Sequence, residues 1–289
     1  MGVNLGEGTV PEDWSQPEVE ATVASYFDML TAELRGEAYS KADHRRRLLH
    51  LLSNRTEGAV ERKHGNISAI LIELGFPYIN GYKPYRNYQD LLYEVVSDRL
   101  VNTSQLIEIM DKDTERQVAV PTLDDILGAL TDPPTPTPYH PKVSEQMRPY
   151  RTRSPLKTNY LEKEARNVAL GLAGEEFVVR FEQARLIKER QPKLAEKVEH
   201  ISLKHDGDGF DILSFDATGA DRLIEVKTTK YGRETPFFVT PTEIEKSQNR
   251  RDDFFLYRVF QFREAKLFTL RGAISENFKL EPSAYIAQR

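Results

Sequence analysis

The stretch GFDILSFDATGADRLIEVKTT, residues 209–229, decides the predicted fold of the C-terminal half of the chain. Two short apolar runs, Phe210–Phe215 and Arg222–Thr228, flank a segment of Asp, Gly and Thr residues at 216–221 that is typical of a turn. The pattern predicts two neighbouring strands joined by a tight hairpin. Such a hairpin would bring Asp211, at the start of the first strand, close to Glu225 in the second.

The second strand carries charged groups on one face. Side chains alternate along a strand, so Glu225 and Lys227 point to the same side while Val226 points into apolar packing on the other. Asp211, Glu225 and the main-chain carbonyl of Val226 would offer hard oxygen ligands that suit Mg²⁺, with Mn²⁺ as a substitute. Lys227 would orient an attacking water or help to deprotonate it. Glu-x-Lys alone is a weak signal, because most such pairs are exposed charges on a solvent-facing strand.

A helix predicted upstream of the hairpin supplies a further acid to the same site. The segment Gly174-Glu-Glu-Phe-Val178 contains Glu175 and Glu176, and either could bind a metal directly or through water. We favour Glu175, because Phe177 and Val178 would then face the core from the same helix. The predicted catalytic set is therefore Asp211, Glu225, Lys227 and Glu175, with Glu176 as an alternative metal ligand.

The hydrophobic patterns divide the chain into three parts. Residues 1–130 are predicted to be a mainly helical domain for recognition or dimerisation, 131–157 a basic, proline-rich linker, and 158–289 a mixed α/β domain, so that the fold class is α+β. Helical spacing predicts helices at residues 17–34, from Ser40, and at 57–74, 88–100, 122–130, 159–190 and 241–249. The helix at 159–190 is predicted to break near Gly171 and Gly174. Strand-like runs occur at residues 198–203, 210–215, 222–228, 237–240, 254–262 and 266–270.

Composition and charge limit the classes of function. The 289 residues contain no cysteine, which excludes disulfides, thiolate zinc sites, iron–sulfur clusters and a cysteine nucleophile. No apolar stretch approaches the ~18 residues of a membrane span, and we predict a soluble, cytoplasmic protein without a membrane partner. The net charge of −5 argues at first against nucleic acid. Residues 1–40, however, hold eight acidic residues and one basic, whereas residues 161–289 hold 22 of each.

Basic side chains in two regions are candidates for contact with a nucleic-acid backbone, although a solvated helix face is the commoner explanation for each cluster alone. One group follows Glu225 and Lys227 in the chain and would flank their site: Lys230, Arg233, Lys246, Arg250 and Arg251. The other group lies in the N-terminal half: Arg45, Arg46 and Arg47.

The motifs of the C-terminal half, taken together and in order, resemble the NO VEIN C-terminal domain family, a branch of the PD-(D/E)XK nuclease superfamily related to Mrr-type restriction endonucleases. The matching residues are Gly174–Val178, Gly209–Ile212, Ile224–Thr229 and Leu256–Val259. The resemblance implies a restriction-endonuclease-like domain with an α-β-β-β-α-β core and metal-dependent hydrolysis of phosphodiesters. It implies that Asp211 and Glu225 bind metal and that Lys227 is the catalytic lysine. Phe210 stands where the superfamily pattern has proline. Residues 40–90 resemble the helical segment found ahead of such domains in bacterial proteins.

These features predict a Mg²⁺-dependent DNA endonuclease of restriction or anti-phage defence type, with RNA not excluded as a substrate. A cutter of duplex DNA with one site per chain needs two chains, which predicts a homodimer. Two alternatives remain open at this stage. The first is a catalytically inactive nuclease-like module that binds nucleic acid or a protein, and the second is a subunit of a larger defence complex.

Overall fold

A computed structural model describes residues 13–116, 118–135, 158–204 and 207–283, and it is α+β with helices first and a mixed sheet afterwards. The chain forms two compact units. The described part of the first unit comprises residues 13–74 and 81–113, and that of the second comprises 75–80, 114–135 except 117, 158–204 and 207–283. The predicted linker falls mostly outside the described residues. Among the described residues, no helix has the length and apolar character needed to cross a bilayer.

The first unit is built from helices. These are α1 (Gln16–Arg35), α2 (Lys41–Leu49), α3 (Glu57–Glu73), α4 (Asp90–Asn102) and α5 (Ser104–Glu115), the last of which ends in the second unit. The apolar spacing of α1 is confirmed, since Val19, Val23 and Leu30 are all buried. Ser40 caps α2, as predicted, by accepting a hydrogen bond from the main-chain nitrogen of Asp43 at 3.2 Å. Helix α5 was missed by the sequence analysis.

The second unit contains a five-stranded sheet with the order β1-β2-β3-β4-β5. Its strands are β1 (Glu199–His200), β2 (Ile212–Phe215), β3 (Asp221–Thr228), β4 (Phe254–Phe260) and β5 (Lys266–Arg271). Among these five strands β3 and β4 pair in parallel, and α9 (Pro241–Asn249) connects them; the other neighbouring strands pair antiparallel. The remaining helices are α6 (Tyr160–Ala165), α7 (Val168–Lys188), α8 (Pro192–Ala195) and α10 (Ile274–Asn277). The order α7-β1-β2-β3-α9-β4 is the predicted core.

Helix α7 packs on the sheet through an apolar cluster that includes Phe177, Phe181, Ile212 and Val226. Gly174 allows the close approach, because a Cβ atom there would lie 1.8 Å from Oγ1 of Thr228. Burial of these apolar faces, rather than local preference, sets the position of the helix over β3.

Three predicted elements differ from the structure. The helical region 159–190 breaks at Asn167, not at Gly171 or Gly174, because the Asn167 side chain caps α7 by accepting a hydrogen bond from Leu170 N at 3.2 Å. Residues 237–240 join no strand of the described sheet and instead lead to Thr240, the N-cap of α9. The predicted helix at 122–130 is a short 3₁₀ turn, Ile126–Ala129.

The predicted domain boundary at residue 130 lies within the second unit. Leu130 forms a parallel bridge with Leu267 of β5, and the main-chain nitrogen of Thr131 donates to the carbonyl of Leu267 at 2.8 Å. Residues 75–80 also belong to this unit, with the main-chain nitrogen of Tyr160 donating to the Gly75 carbonyl. Long-range pairing of this kind leaves no local signal in the sequence.

Candidate active site

The β2–β3 hairpin places Asp211 beside Glu225, as the sequence predicted. Ile212 lies opposite Ile224 in the antiparallel register, and the main-chain nitrogen of Asp211 donates to the Ile224 carbonyl at 2.9 Å. The Asp211 side chain then accepts a hydrogen bond at Oδ2 from the main-chain nitrogen of Val226 at 2.8 Å. Its carboxylate is therefore held against the segment of β3 that carries Glu225 and Lys227.

Two glycines shape the chain that leads into Asp211. Gly207 and Gly209 have φ values of 95° and 76°, in the left-handed region that favours glycine. A Cβ atom at Gly209 would also lie 3.0 Å from the main-chain oxygen of Thr242 in α9. The glycine-rich turn thus brings Asp211 and the first turn of α9 to the same place.

Glu225 and Lys227 point to one face of β3, and their side chains form an ion pair. Lys227 Nζ lies 2.6 Å from Glu225 Oε1 and 2.8 Å from Oε2 of Glu243, a residue of α9. The Glu225 side chain is 3% exposed and that of Lys227 is 17% exposed. The alternative of an exposed pair of charges does not apply here, since both groups are largely removed from solvent.

The two candidate acids of α7 have different surroundings. Glu175 accepts hydrogen bonds at Oε2 from Ser202 Oγ at 2.5 Å and lies 2.6 Å from His200 Nε2, and its charge acts on Asp211. Glu176 is exposed and pairs with Arg180 one helical turn along. The structure therefore places Glu175, and not Glu176, among the site residues. The exposed side chain of Glu176 faces solvent, which makes Glu175 the better candidate for a metal ligand on this helix.

Burial and like charge perturb both central carboxylates. Burial, followed by the charge of Glu175, raises the pKa of Asp211 to about 7. Burial also raises the pKa of Glu225 well above its ordinary value, although the ammonium of Lys227 opposes this. Burial alone would lower the pKa of Lys227, but the carboxylates of Glu225 and Glu243 raise it above its ordinary value. Lys227 is thus a cation at neutral pH.

The donor chemistry of the site fits a hard divalent cation. Glu225 is buried and Asp211 is partly buried; beyond the effect of burial, the charge of Glu175 raises the pKa of Asp211, the charge of Asp211 raises the pKa of Glu225, and a bound cation would relieve this repulsion. Within the residues that the structure describes, no group of three or more His, Asp or Glu side chains is arranged to hold a metal ion.

The basic residues predicted to flank the site have varied surroundings. Arg250 pairs with Asp253 and Asp221, and Arg251 pairs with Glu276. Arg233 donates to the carbonyl of Asp132 at 3.3 Å. Lys246 Nζ lies 5.4 Å from the centroid of the Phe210 ring, beside Asp211. The main-chain nitrogen of Lys230 donates to Glu164. Contact of these side chains with phosphates stays a prediction.

The arginine cluster of α2 is also engaged with acids. Arg45 pairs with Glu57 and Glu61, and Arg46 pairs with Asp43. Arg47 donates to the main-chain oxygen of Asp43 at 3.4 Å. These are exposed or partly exposed pairs of the kind that contribute little to stability, so a polyanion could displace them.

Several residues around the site were not identified from the sequence. Glu243, His200 and Ser202 contact the predicted residues directly. Arg258, which is fully buried in β4, donates to the Lys227 carbonyl at 2.9 Å. One signal was available for Glu243, because a glutamate three residues after Thr240 is typical of a capping box at a helix start.

Comparison with known protein families gave a match to the C-terminal half of the chain. Residues 174–270 match a family model described as Protein NO VEIN, C-terminal. The matched segment runs from α7 to β5 and contains every predicted catalytic residue as well as Glu243. No curated protein and no solved structure matched the chain.

Proposed function

We propose that this chain, whose residues 174–270 match the family model described as Protein NO VEIN, C-terminal, is a metal-dependent endonuclease that hydrolyses phosphodiester bonds in DNA. One observation carries the proposal. Glu225 is buried and Asp211 is partly buried, and the β2–β3 hairpin holds their carboxylates together with the Lys227 ammonium beside them. Two carboxylates and a lysine in this arrangement suit the hydrolysis of a phosphodiester at a bound metal ion.

Asp211, Glu225 and the Val226 carbonyl would hold Mg²⁺ or Mn²⁺, with Glu175 as a further ligand. The ion would supply Lewis acidity and a lowered pKa of bound water. Lys227 contributes charge and position: since its neighbours keep it protonated, it can neutralise charge on the scissile phosphate and orient water, but it is a poor proton acceptor. The Val226 main-chain nitrogen fixes the orientation of Asp211.

The finer parts of the function rest on the family resemblance and on the number of sites. Cleavage of both strands of a duplex by one site per chain supports a homodimer. The resemblance of the sequence motifs to Mrr-type restriction endonucleases supports the proposal of a role in restriction or anti-phage defence. RNA stays open as a substrate, and a partner subunit in a larger defence complex stays open as an alternative. The helical first unit would then recognise substrate or dimerise.

A second candidate is a binding module that keeps the nuclease-like fold without hydrolysis. The observation that favours it is that Glu225, one of the two central carboxylates, is already engaged by the Lys227 ammonium at 2.6 Å. Calorimetry with Mn²⁺ separates the two candidates, because an inactive scaffold would show no binding that depends on Asp211 and Glu225.

The test is a cleavage panel on plasmid DNA, modified DNA, single-stranded DNA and RNA with Mg²⁺ or Mn²⁺. Lys227→Ala should lower the rate by about 10²–10³-fold, since it removes a positioned charge at the reacting phosphate. The matched control is Lys204→Ala, which removes an exposed lysine paired with Glu199. Failure of the wild type to cut any substrate, together with an unaltered biological phenotype in Lys227→Ala, would contradict the proposal.

A further inference from the structure

Glu243 stands out as an acid that contacts the predicted lysine without belonging to the predicted site. Its Oε2 atom lies 2.8 Å from Lys227 Nζ, and its side chain is 14% exposed. It reaches this position from the first turn of α9, sixteen residues beyond Lys227 in the chain. Lys227 therefore lies between two carboxylates, one from its own strand and one from a separate helix.

The cap of α9 determines where the Glu243 side chain lies. Thr240 Oγ1 accepts from the main-chain nitrogen of Glu243 at 3.2 Å, and Glu243 Oε2 accepts from the main-chain nitrogen of Thr240 at 3.3 Å. This reciprocal pair is a capping box. The helix start also packs on Gly209, where a Cβ atom would lie 2.9 Å from Cβ of Lys246. The cap and the packing on Gly209 therefore orient Glu243 independently of its contact with Lys227.

A capping role alone does not account for the contact with Lys227. Glutamine closes a capping box as well as glutamate does, so the cap by itself requires no negative charge. The site has a use for that charge, because Glu225 is also a proposed ligand of the metal ion. A carboxylate that coordinates a cation has less charge available for the ammonium, and a second carboxylate would then hold the lysine.

We propose that Glu243 is a positioning residue that fixes the Lys227 ammonium beside Glu225 and retains it when Glu225 binds the metal ion. The part of this inference that concerns the metal ion rests on the proposed nuclease function. The part that concerns Lys227 holds without metal or substrate. Glu243 acts through Lys227 and does not itself bind the cation.

The central variant is Glu243→Gln, which keeps the shape and the cap but removes the charge. Glu245→Gln is the matched control, since Glu245 is exposed on the same helix. Thr240→Ala is the second control, because it removes only the hydroxyl half of the cap, while the main-chain nitrogen of residue 240 still donates to Glu243 Oε2 and holds the carboxylate. Together they separate the loss of charge from the loss of helix stability.

The first readout needs neither metal nor cleavage. The acetylation rate of Lys227 by a small acylating reagent is followed by peptide mass spectrometry on the full chain at mildly alkaline pH. Loss of the Glu243 carboxylate should increase the acetylation rate about tenfold in Glu243→Gln, because less negative charge then remains beside Lys227 to keep its ammonium protonated. Both controls should match the wild type. An unchanged rate in Glu243→Gln, or an equal rise in Thr240→Ala, would overturn the proposal.

Two further readouts distinguish positioning from metal binding. Calorimetry with Mn²⁺ should give the same affinity for Glu243→Gln and wild type within about twofold, whereas a tenfold loss would make Glu243 a ligand and overturn the proposal. In cleavage assays kcat should fall about tenfold with KM unchanged, since positioning matters at the reacting phosphate. If the wild type cuts nothing, the proposed function fails, and the acetylation rates still decide the role of Glu243.

Discussion

Asp211→Asn should stabilise the folded protein above neutral pH while abolishing metal binding. Asparagine keeps a side-chain oxygen that can accept the hydrogen bond from the Val226 main-chain nitrogen, so the substitution removes charge and little else. Burial and the charge of Glu175 raise the pKa of Asp211 from 3.8 to about 7. A pKa raised by about three corresponds to a free-energy difference of ~4 kcal/mol between the protonated and the charged side chain.

The direction of the pH dependence follows from proton linkage. Because the folded-state pKa is raised, the folded protein binds more protons than the unfolded chain between pH 3.8 and about 7. The free energy of unfolding of the wild type therefore falls as pH rises through this window, and above the window the full loss of stability has been reached. Asp211→Asn should equal the wild type near the lower limit and exceed it by ~4 kcal/mol above the upper one.

The assay is urea unfolding at several pH values, followed by hydrogen–deuterium exchange of peptides that contain β2 and β3. Asp208→Asn is the matched control, because Asp208 is exposed and lies three residues from Asp211. Mg²⁺ at about a hundred times its Kd should add ~2.7 kcal/mol to the wild type and nothing to Asp211→Asn. A variant that gains no stability at alkaline pH, or gains equally at acid pH, would refute the reasoning.

Three further predictions concern the rest of the chain. Burial lowers the pKa of His64 to about 3, so the free energy of unfolding of the first unit should fall as pH drops below 6.5, by ~2 kcal/mol at about pH 5. His64→Phe should remove this pH dependence. Unfolding of the unit can be followed by the fluorescence of Trp14, the single tryptophan. Gly174→Ala should lower the melting temperature, since its Cβ atom would overlap Thr228; overpacking typically costs ~1–3 kcal/mol, and calorimetry measures it. Arg258→Met should lower kcat more than it lowers metal affinity, because it removes the hydrogen bond to the Lys227 carbonyl. Equal losses of kcat and of metal affinity would contradict this role for Arg258.

Much of the site could be predicted because it depends on local rules. The two-residue period of a strand puts Glu225 and Lys227 on one face, and a hairpin closed by a short turn brings Asp211 to them. The turn itself is recognisable, since Asp216 Oδ1 accepts from the main-chain nitrogens of Thr218 and Ala220. Such features involve neighbours in sequence, so an amino-acid pattern is enough to locate them.

Other parts depended on contacts between distant segments. The choice of Glu175 over Glu176 follows from the rotation of α7 on the sheet, which turns one glutamate towards His200 and the other to solvent. The helical region breaks at Asn167, whose side chain caps α7, because at this position the capping preference of asparagine outweighs the tendency of Gly171 and Gly174 to interrupt a helix. Glycine at 174 is tolerated within α7 because it allows the helix to approach β3 closely.

The sequence by itself determined the α+β class, the hairpin and the choice of Asp211, Glu225 and Lys227 as candidate site residues. Strand periodicity and turn chemistry are properties of adjacent residues, so the residue pattern is enough to show them. Only the tertiary structure decided that Lys227 lies between two carboxylates. That arrangement requires β3, α9 and the Gly209 turn to pack together, and the burial that results also sets the pKa values of the site. Burial and long-range charge are properties of the folded chain, which explains why the pattern of residues could not show them.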